Sequence, residues 1–158
     1  MSGTETVPAA DATATGWQPR IIAFVCNWCT YTGMDLAGTT RLKYAPGVQV
    51  IRIPCSGRLN PHFIIRAFEK GADAVWISGC HPGDCHYSQG NYHARRKFLV
   101  FKELVEFVGV DPRRLKFTWI SAAEGKKWSE AVSEYVAEIK ALGPLTGYPG
   151  DQPTTEAL

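Results

Sequence analysis

The sequence predicts an α/β fold: a single domain built on a four-stranded parallel sheet flanked by helices, in a flavodoxin-like or Rossmann-like strand order 2-1-3-4. Three observations carry this expectation. Four short apolar, β-branched runs of strand length recur at residues 21–25, 48–53, 74–78 and 115–121. The segments between them carry helix signals, so strand and helix alternate along the chain. At 158 residues and 45% apolar composition, the chain suits one globular domain whose core needs no disulfide staples.

Both ends differ from the middle. Residues 1–19 are rich in Ser, Thr, Ala and Pro, and residues 143–158 are punctuated by Gly and Pro. Both are expected to be flexible tails, which leaves residues 20–142 as the packed domain. Within it the first run, 21–25, leads into a segment from Gly33 to Tyr44 with Gly38 in its middle and no clean apolar stripe, expected to be short or irregular. After the second run, Asn60 can cap a helix, Pro61 fits its first turn and Gly71 can close it. After the third, residues 92–108 place Ala94, Phe98, Phe101, Val105 and Val108 on one stripe, stopped by Gly109 and Asp111-Pro112. After the fourth, Ser121 and Glu124 resemble a capping box, and Trp128, Val132, Tyr135, Ile139 and Leu142 share one helix face.

Three of the four switches from strand to turn carry cysteine: Val25-Cys26-Asn27-Trp28-Cys29, Ile53-Pro54-Cys55 and Ser78-Gly79-Cys80, with Cys85 five residues later. In a parallel α/β sheet the carboxyl ends of the strands lie on one edge, where ligands bind. Cys26, Cys29, Cys55, Cys80 and Cys85, all the cysteines of the chain, are therefore expected to converge there. The order 2-1-3-4 puts the topological switch between the first and third strands, at Cys26, Cys29, Cys80 and Cys85, with Cys55 beside them.

No basic segment followed by an apolar run marks a secretory signal, and no run reaches the length of a membrane span. A soluble, cytoplasmic protein is expected. Clustered cysteines in that reducing compartment point to metal binding or redox chemistry rather than structural disulfides. Basic and acidic side chains number 17 and 15, a near balance that gives no support for a nucleic-acid or anionic-membrane partner. There is no phosphate-binding glycine loop, nucleophile elbow or HExxH helix.

Thiolates favour zinc, copper(I) or iron–sulfur clusters, and four complete either a tetrahedral zinc site or a [2Fe-2S] cluster. The spacings, Cys26-x2-Cys29 and Cys80-x4-Cys85 with a lone Cys55, are mixed and resemble the x4 and x2 elements of [2Fe-2S] loops in a different order. Two other readings stay open. The Cys26/Cys29 pair after a strand resembles a thiol–disulfide oxidoreductase motif, which would leave three cysteines without a role. A structural zinc adaptor would use four of the five. A single strand-end cysteine is often just a small buried hydrophobe, and Cys55 taken alone reads equally well that way. His62, His81, His86 and His93 are not needed as ligands, and His81 or His86 suits a supporting donor or an ordinary loop position. Arg58, Arg95, Arg96 and Lys97 read as a solvated basic face or as counter-charge for an anionic cluster, and Trp28, Tyr31, Tyr87 and Tyr92 as shielding or core aromatics. Gly57, Gly79 and Gly83 let backbone N–H groups approach sulfur or simply serve their turns.

The run from Gly79 through Cys80, His81, Pro82, Gly83, Asp84, Cys85 and His86 to Tyr87, followed by Gly90-Asn91-Tyr92, combines with Cys26-Asn27-Trp28-Cys29, Pro54-Cys55-Ser56-Gly57-Arg58 and the stretch from Trp119 to Gly125. Together these closely resemble the delta subunit of methyl-viologen-reducing hydrogenase, the FlpD family, over about residues 20–140. The resemblance implies a small [2Fe-2S] electron-transfer subunit, itself without a catalytic residue. It would link a hydrogenase or formate dehydrogenase module to a heterodisulfide-reductase-like flavoprotein that performs electron bifurcation. It also implies that four of the five cysteines ligate the cluster.

Overall fold

A computed structural model describes residues 16–147. Its elements are β1 (Ile21–Cys26), α1 (Thr30–Thr39), β2 (Val48–Ile53), a 3-10 turn at Ser56–Arg58, α2 (Pro61–Glu69), β3 (Ala74–Gly79), α3 (Gly90–Phe107), a second 3-10 turn at Pro112–Arg114, β4 (Leu115–Trp119) and α4 (Gly125–Leu142). All strand pairs are parallel and the order is β2-β1-β3-β4, as expected from the sequence. Cys26 stands opposite Ile53, and Gly79 opposite Trp119, so the carboxyl ends of the four strands meet at one edge.

The sheet separates two cores. Ile21, Ala23 and Val25 of β1 and Trp76 of β3 pack against Ala37 of α1 and Trp128, Val132, Tyr135 and Ile139 of α4. The alternate positions, Phe24, Val75 and Ile77, pack against Ile64 and Phe68 of α2 and Phe98 and Val105 of α3. This is the period-two alternation of a sheet buried on both faces. β3 is buried at all six residues because it is an inner strand covered on both sides. At the centre of the first core the Trp76 and Trp128 rings stack with centroids 4.9 Å apart.

Asn60 caps α2 by accepting from His62 N–H at 3.0 Å, and Pro61 opens the helix. α4 opens on half of a capping box: the Glu124 carboxylate accepts the Ser121 N–H at 2.7 Å. Val108 falls at the C-cap of α3 and is exposed, and Val110 takes the buried place after it.

Two expectations change. The segment after β1 is a regular ten-residue helix that starts at Thr30, before Gly33. Its buried residues are Thr30, Gly33 and Ala37, a stripe of small side chains that carries no hydrophobic signal. A Cβ on Gly33 would lie 2.6 Å from Ser121 O, and one on Gly125 only 2.9 Å from Ala37 N, so glycines let α1 and α4 close on one another. The expected tails fall mostly on residues 1–15 and 148–158, outside the described residues. Of the remainder, Trp17 and Leu145 pack against the two cores, and Leu145 N–H donates to Asp73 Oδ1 at 3.0 Å. Isolated apolar residues in a polar stretch are read as tail from sequence, yet each finds a hydrophobic edge to cover.

Candidate metal centre

Each cysteine sits where a strand ends and the chain turns. Cys26 is the last residue of β1, Cys29 precedes α1, Cys55 follows β2 and precedes the 3-10 turn, and Cys80 follows β3. Cys85 lies in the loop that leads to α3. Cys26, Cys55, Cys80 and Cys85 are buried; Cys29 is half-buried. All five are free thiols.

The sulfurs form two groups. Cys26 Sγ lies 3.7 Å from Cys80 Sγ, and Cys29 Sγ donates to Cys80 Sγ at 2.8 Å. Across the edge, Cys55 Sγ lies 3.8 Å from Cys85 Sγ. The groups are near enough to interact electrically: the Cys85 charge raises Cys29, and the Cys26 charge raises Cys55.

Backbone amides are turned toward the sulfurs. Cys26 receives N–H groups of Trp28, Cys29 and Ser56, Cys55 that of Gly57 at 3.4 Å, and Cys85 those of Tyr87, Gly90 and Asn91. The hydrogen bond with Cys80, aided by the three amides and opposed by burial, lowers Cys26 to about 6. Cys80 is pushed up by that same bond and by burial. Burial pushes Cys55 up to about 11 and also raises Cys29. At Cys85 burial is outweighed by the three amides and the Cys55 thiol, which lower it.

Close backbone approach is built into this edge. A Cβ on Gly90 would fall on Cys55 Sγ and 3.1 Å from Cys85 Sγ, and one on Gly57 would meet Gly90 Cα at 2.7 Å. One on Gly79 would stand 2.6 Å from Ser56 Oγ, which is buried without a hydrogen-bond partner among the described residues. Gly83 has φ +93° and open space around it, so it serves only its turn.

Asn91 and Glu124 fasten the cysteine loop. Buried Asn91 donates through Nδ2 to His81 O at 2.6 Å and Cys80 O at 3.3 Å. Glu124 joins His81 Nε2 at 2.7 Å, and the Ser121 amide first, then His81, hold its carboxyl at about 2. The Gly90-Asn91-Tyr92 motif marks Asn91 in the sequence, but no local signal says that its amide spans back to residues 80 and 81.

The remaining candidates occupy the periphery. Trp28 stacks on His86 with centroids 3.9 Å apart, and its Nε1 donates to Tyr87 Oη at 3.4 Å. Trp28 is 44% exposed and Tyr87 54%, so this layer stands at the solvent face rather than sealing the thiols. Tyr31 carries Arg52 over its ring, and Tyr92 is exposed. Lys97 donates to Gly57 O and Leu59 O, tying α3 to the turn after Cys55. His62 is exposed on α2, and His93, Arg95 and Arg96 lie on α3, where Arg95 and Arg96 are exposed.

With metal–thiolate bonds of about 2.3 Å and tetrahedral angles, two sulfurs on one metal stand about 3.8 Å apart. The Cys26/Cys80 and Cys55/Cys85 separations, 3.7 and 3.8 Å, match that value. Among the described residues no three His, Cys, Asp or Glu side chains are arranged to hold one ion. The donor set therefore offers two pairs of thiolates at co-ligand separation, chemistry that suits a thiolate-bound metal group.

Fold and site together define a parallel α/β domain that gathers buried thiols and inward-turned amides at the carboxyl edge of its sheet. More narrowly, the chain belongs to the family described as methyl-viologen-reducing hydrogenase, delta subunit, whose profile matches residues 21–143. It is 47% identical over 133 residues to the vhc iron-sulfur subunit of the F420-non-reducing hydrogenase of Methanococcus voltae, covering 84% of this chain and 92% of that one. It is 48% identical over 129 residues to the iron-sulfur subunit of the F420-non-reducing hydrogenase of Archaeoglobus profundus, covering 82% and 94%. It is also 44% identical over 127 residues to one chain of the ferredoxin/F420H2-dependent CoB-CoM heterodisulfide reductase of Methanosarcina acetivorans, covering 80% of this chain but 16% of that longer one.

Proposed function

We propose that the protein is a [2Fe-2S] electron-transfer subunit that links a hydrogenase or formate dehydrogenase module to a heterodisulfide-reductase-like flavoprotein. The observation that carries this reading is the pairing of the sulfurs: Cys26 with Cys80 and Cys55 with Cys85, both at co-ligand separations. A [2Fe-2S] cluster takes two thiolates at each iron, whereas a structural zinc ion needs four ligands in one place. Cys29 is then the fifth thiol, outside the ligand set, with its S–H directed at Cys80 Sγ. The relatives support the reading, since the hydrogenase chains are named iron-sulfur subunits. A domain similar to this chain also forms part of a heterodisulfide reductase, as expected of modules that work side by side.

Bound there, such a cluster would accept and release one electron at a time. The chain's own residues set the conditions for that exchange. Amides of Trp28, Cys29, Ser56, Gly57, Tyr87, Gly90 and Asn91 donate to the sulfurs and offset anionic charge, which favours the more reduced state. Burial of four cysteines excludes water, while the strand-end position keeps them near a surface that partners can reach.

Anaerobic purification with assay of iron and acid-labile sulfide, and absorption and EPR spectra before and after dithionite, tests the proposal. About two irons and two sulfides per chain, with an EPR signal that appears on reduction, are expected. A colourless protein that stays iron-free after reconstitution would overturn it; zinc content or a titratable low-pKa thiol would then select the adaptor or the dithiol enzyme.

A further inference from the structure

A second concave feature lies beside the cysteine edge. It is a groove of about 680 Å³ that runs along β2 and β1 beside α2. In the order β2-β1-β3-β4, β2 is an edge strand, and α2 and α3 cover β1, β3 and β4 on this face. Ile51 of β2 and Phe63 of α2 are exposed here, 44% and 38%, and with half-buried Ile22 and the buried Phe24 and Ile53 they form an apolar floor open on the β2 side. Arg20, Arg58, Arg66 and Lys70 also line the groove, and among the described residues no carboxylate does. Arg66 pairs with Glu69, whereas Arg20, Arg58 and Lys70 make no ion pair among the described residues. The groove reaches Pro54 and Arg58 on either side of Cys55, so whatever fills it lies beside the cysteine edge. α3 also leaves Val100 and Phe107 exposed, but no charge pattern there says what covers them.

We propose that this groove docks an amphipathic helix of a partner protein, apolar on the face toward Ile22, Ile51 and Phe63 and flanked by carboxylates that meet Arg20, Arg58 and Lys70. The helix takes the place over β2 where a doubly wound sheet carries a covering helix. Apolar contact supplies most of the affinity and the unpaired cations choose an acidic partner over a basic one. That the partner is a redox protein rests on the reading above; the groove itself does not.

The test uses the full chain and a synthetic 18-residue amphipathic helix with a Leu stripe flanked by Glu, against the same peptide with Lys in place of Glu. Methyl NMR is read at Ile22, Ile51 and Ile53, and affinity by titration. The Glu peptide is expected to shift these methyls and to bind at least tenfold more tightly than the Lys peptide. Ile51→Glu, and the double variant Arg58→Glu/Lys70→Glu, are each expected to weaken it at least tenfold while circular dichroism stays unchanged. No binding, equal binding of both peptides, or shifts confined to other methyls would overturn the proposal. So would binding that appears only after removal of residues 148–158, which would make the chain's own end the occupant. A dimer that Ile51→Glu dissociates would instead make it a second copy. Iron content is measured on the same samples, so a protein that binds peptide without iron refutes the cluster and leaves the groove standing.

Discussion

Gly90 marks how tightly the cysteine edge is assembled, since Cys55 Sγ stands where a side chain at Gly90 would begin and Cys85 Sγ borders the same space. Gly90→Ala is expected to separate these two sulfurs and to cut iron per chain below half, with the far-ultraviolet spectrum unchanged; full iron would show that the contact gives way freely. The sulfur pairing makes a sharper statement. Cys80→Ser and Cys85→Ser are expected to abolish iron and sulfide binding, whereas Cys29→Ser should keep about two irons per chain. Retention of full iron and sulfide in the first two variants, or its loss in the third, would refute the ligand assignment. Glu124 gives the edge a pH dependence. Its carboxyl is held down from 4.5 to about 2, so the folded state binds the proton more weakly than the unfolded chain does. The stability it contributes is therefore present above pH 4.5 and lost as pH falls toward 2. Glu124→Gln should be less stable than the parent in urea at pH 6, and the gap should close as pH falls through that window.

At the scale of elements, α1 and α4 show why some of this fold is legible in sequence and some is not. α4 declares itself through Trp128, Val132, Tyr135 and Ile139, large residues on one face that are all buried. α1 buries only Thr30, Gly33 and Ala37, and small residues at helical spacing leave no periodic signal, although the helix is just as regular. The Gly33 and Gly125 contacts supply the missing reason. Gly33→Ala sets a methyl group against Ser121 O and should cost about 1–3 kcal/mol in urea unfolding. A variant of unchanged stability would show that α1 has room to move. The convergence of the cysteines was legible because each strand end is a local event and parallel connectivity fixes where strand ends go. Their pairing was not, since Cys26 with Cys80 and Cys55 with Cys85 are choices made by strand order and side-chain direction. The groove was hidden for the same reason: Ile51 and Ile53 read as an ordinary alternating strand until the missing cover over β2 is seen.

Across the whole molecule, two polar ties close the end of the sheet opposite the cysteines. Buried Arg114 donates to Asp73 O at 3.0 Å and Gly143 O at 2.9 Å, and Asp73 accepts from Arg20 N–H and Leu145 N–H. Those bonds tie the starts of β3 and β4 to the segment after α4. The cysteine end instead brings Cys26 and Cys29 to Cys80, and Cys55 to Cys85, within sulfur contact, and thiolates crowded there repel one another unless a cation or protons intervene. A cluster that binds the folded chain and not the unfolded one should therefore stabilise the whole domain, by about 2.7 kcal/mol where ligand stands at a hundredfold its dissociation constant. For a chain of this size that corresponds to a rise of about 5–10 °C in Tm. Removal of iron by chelation under anaerobic conditions should lower Tm by this amount, and reconstitution should restore it. Cys80→Ser should melt near the iron-free parent with or without added iron and sulfide, because the gain comes from the bound group and not from the thiols. Equal melting of loaded and stripped protein would mean that the cysteine end is already complete without metal.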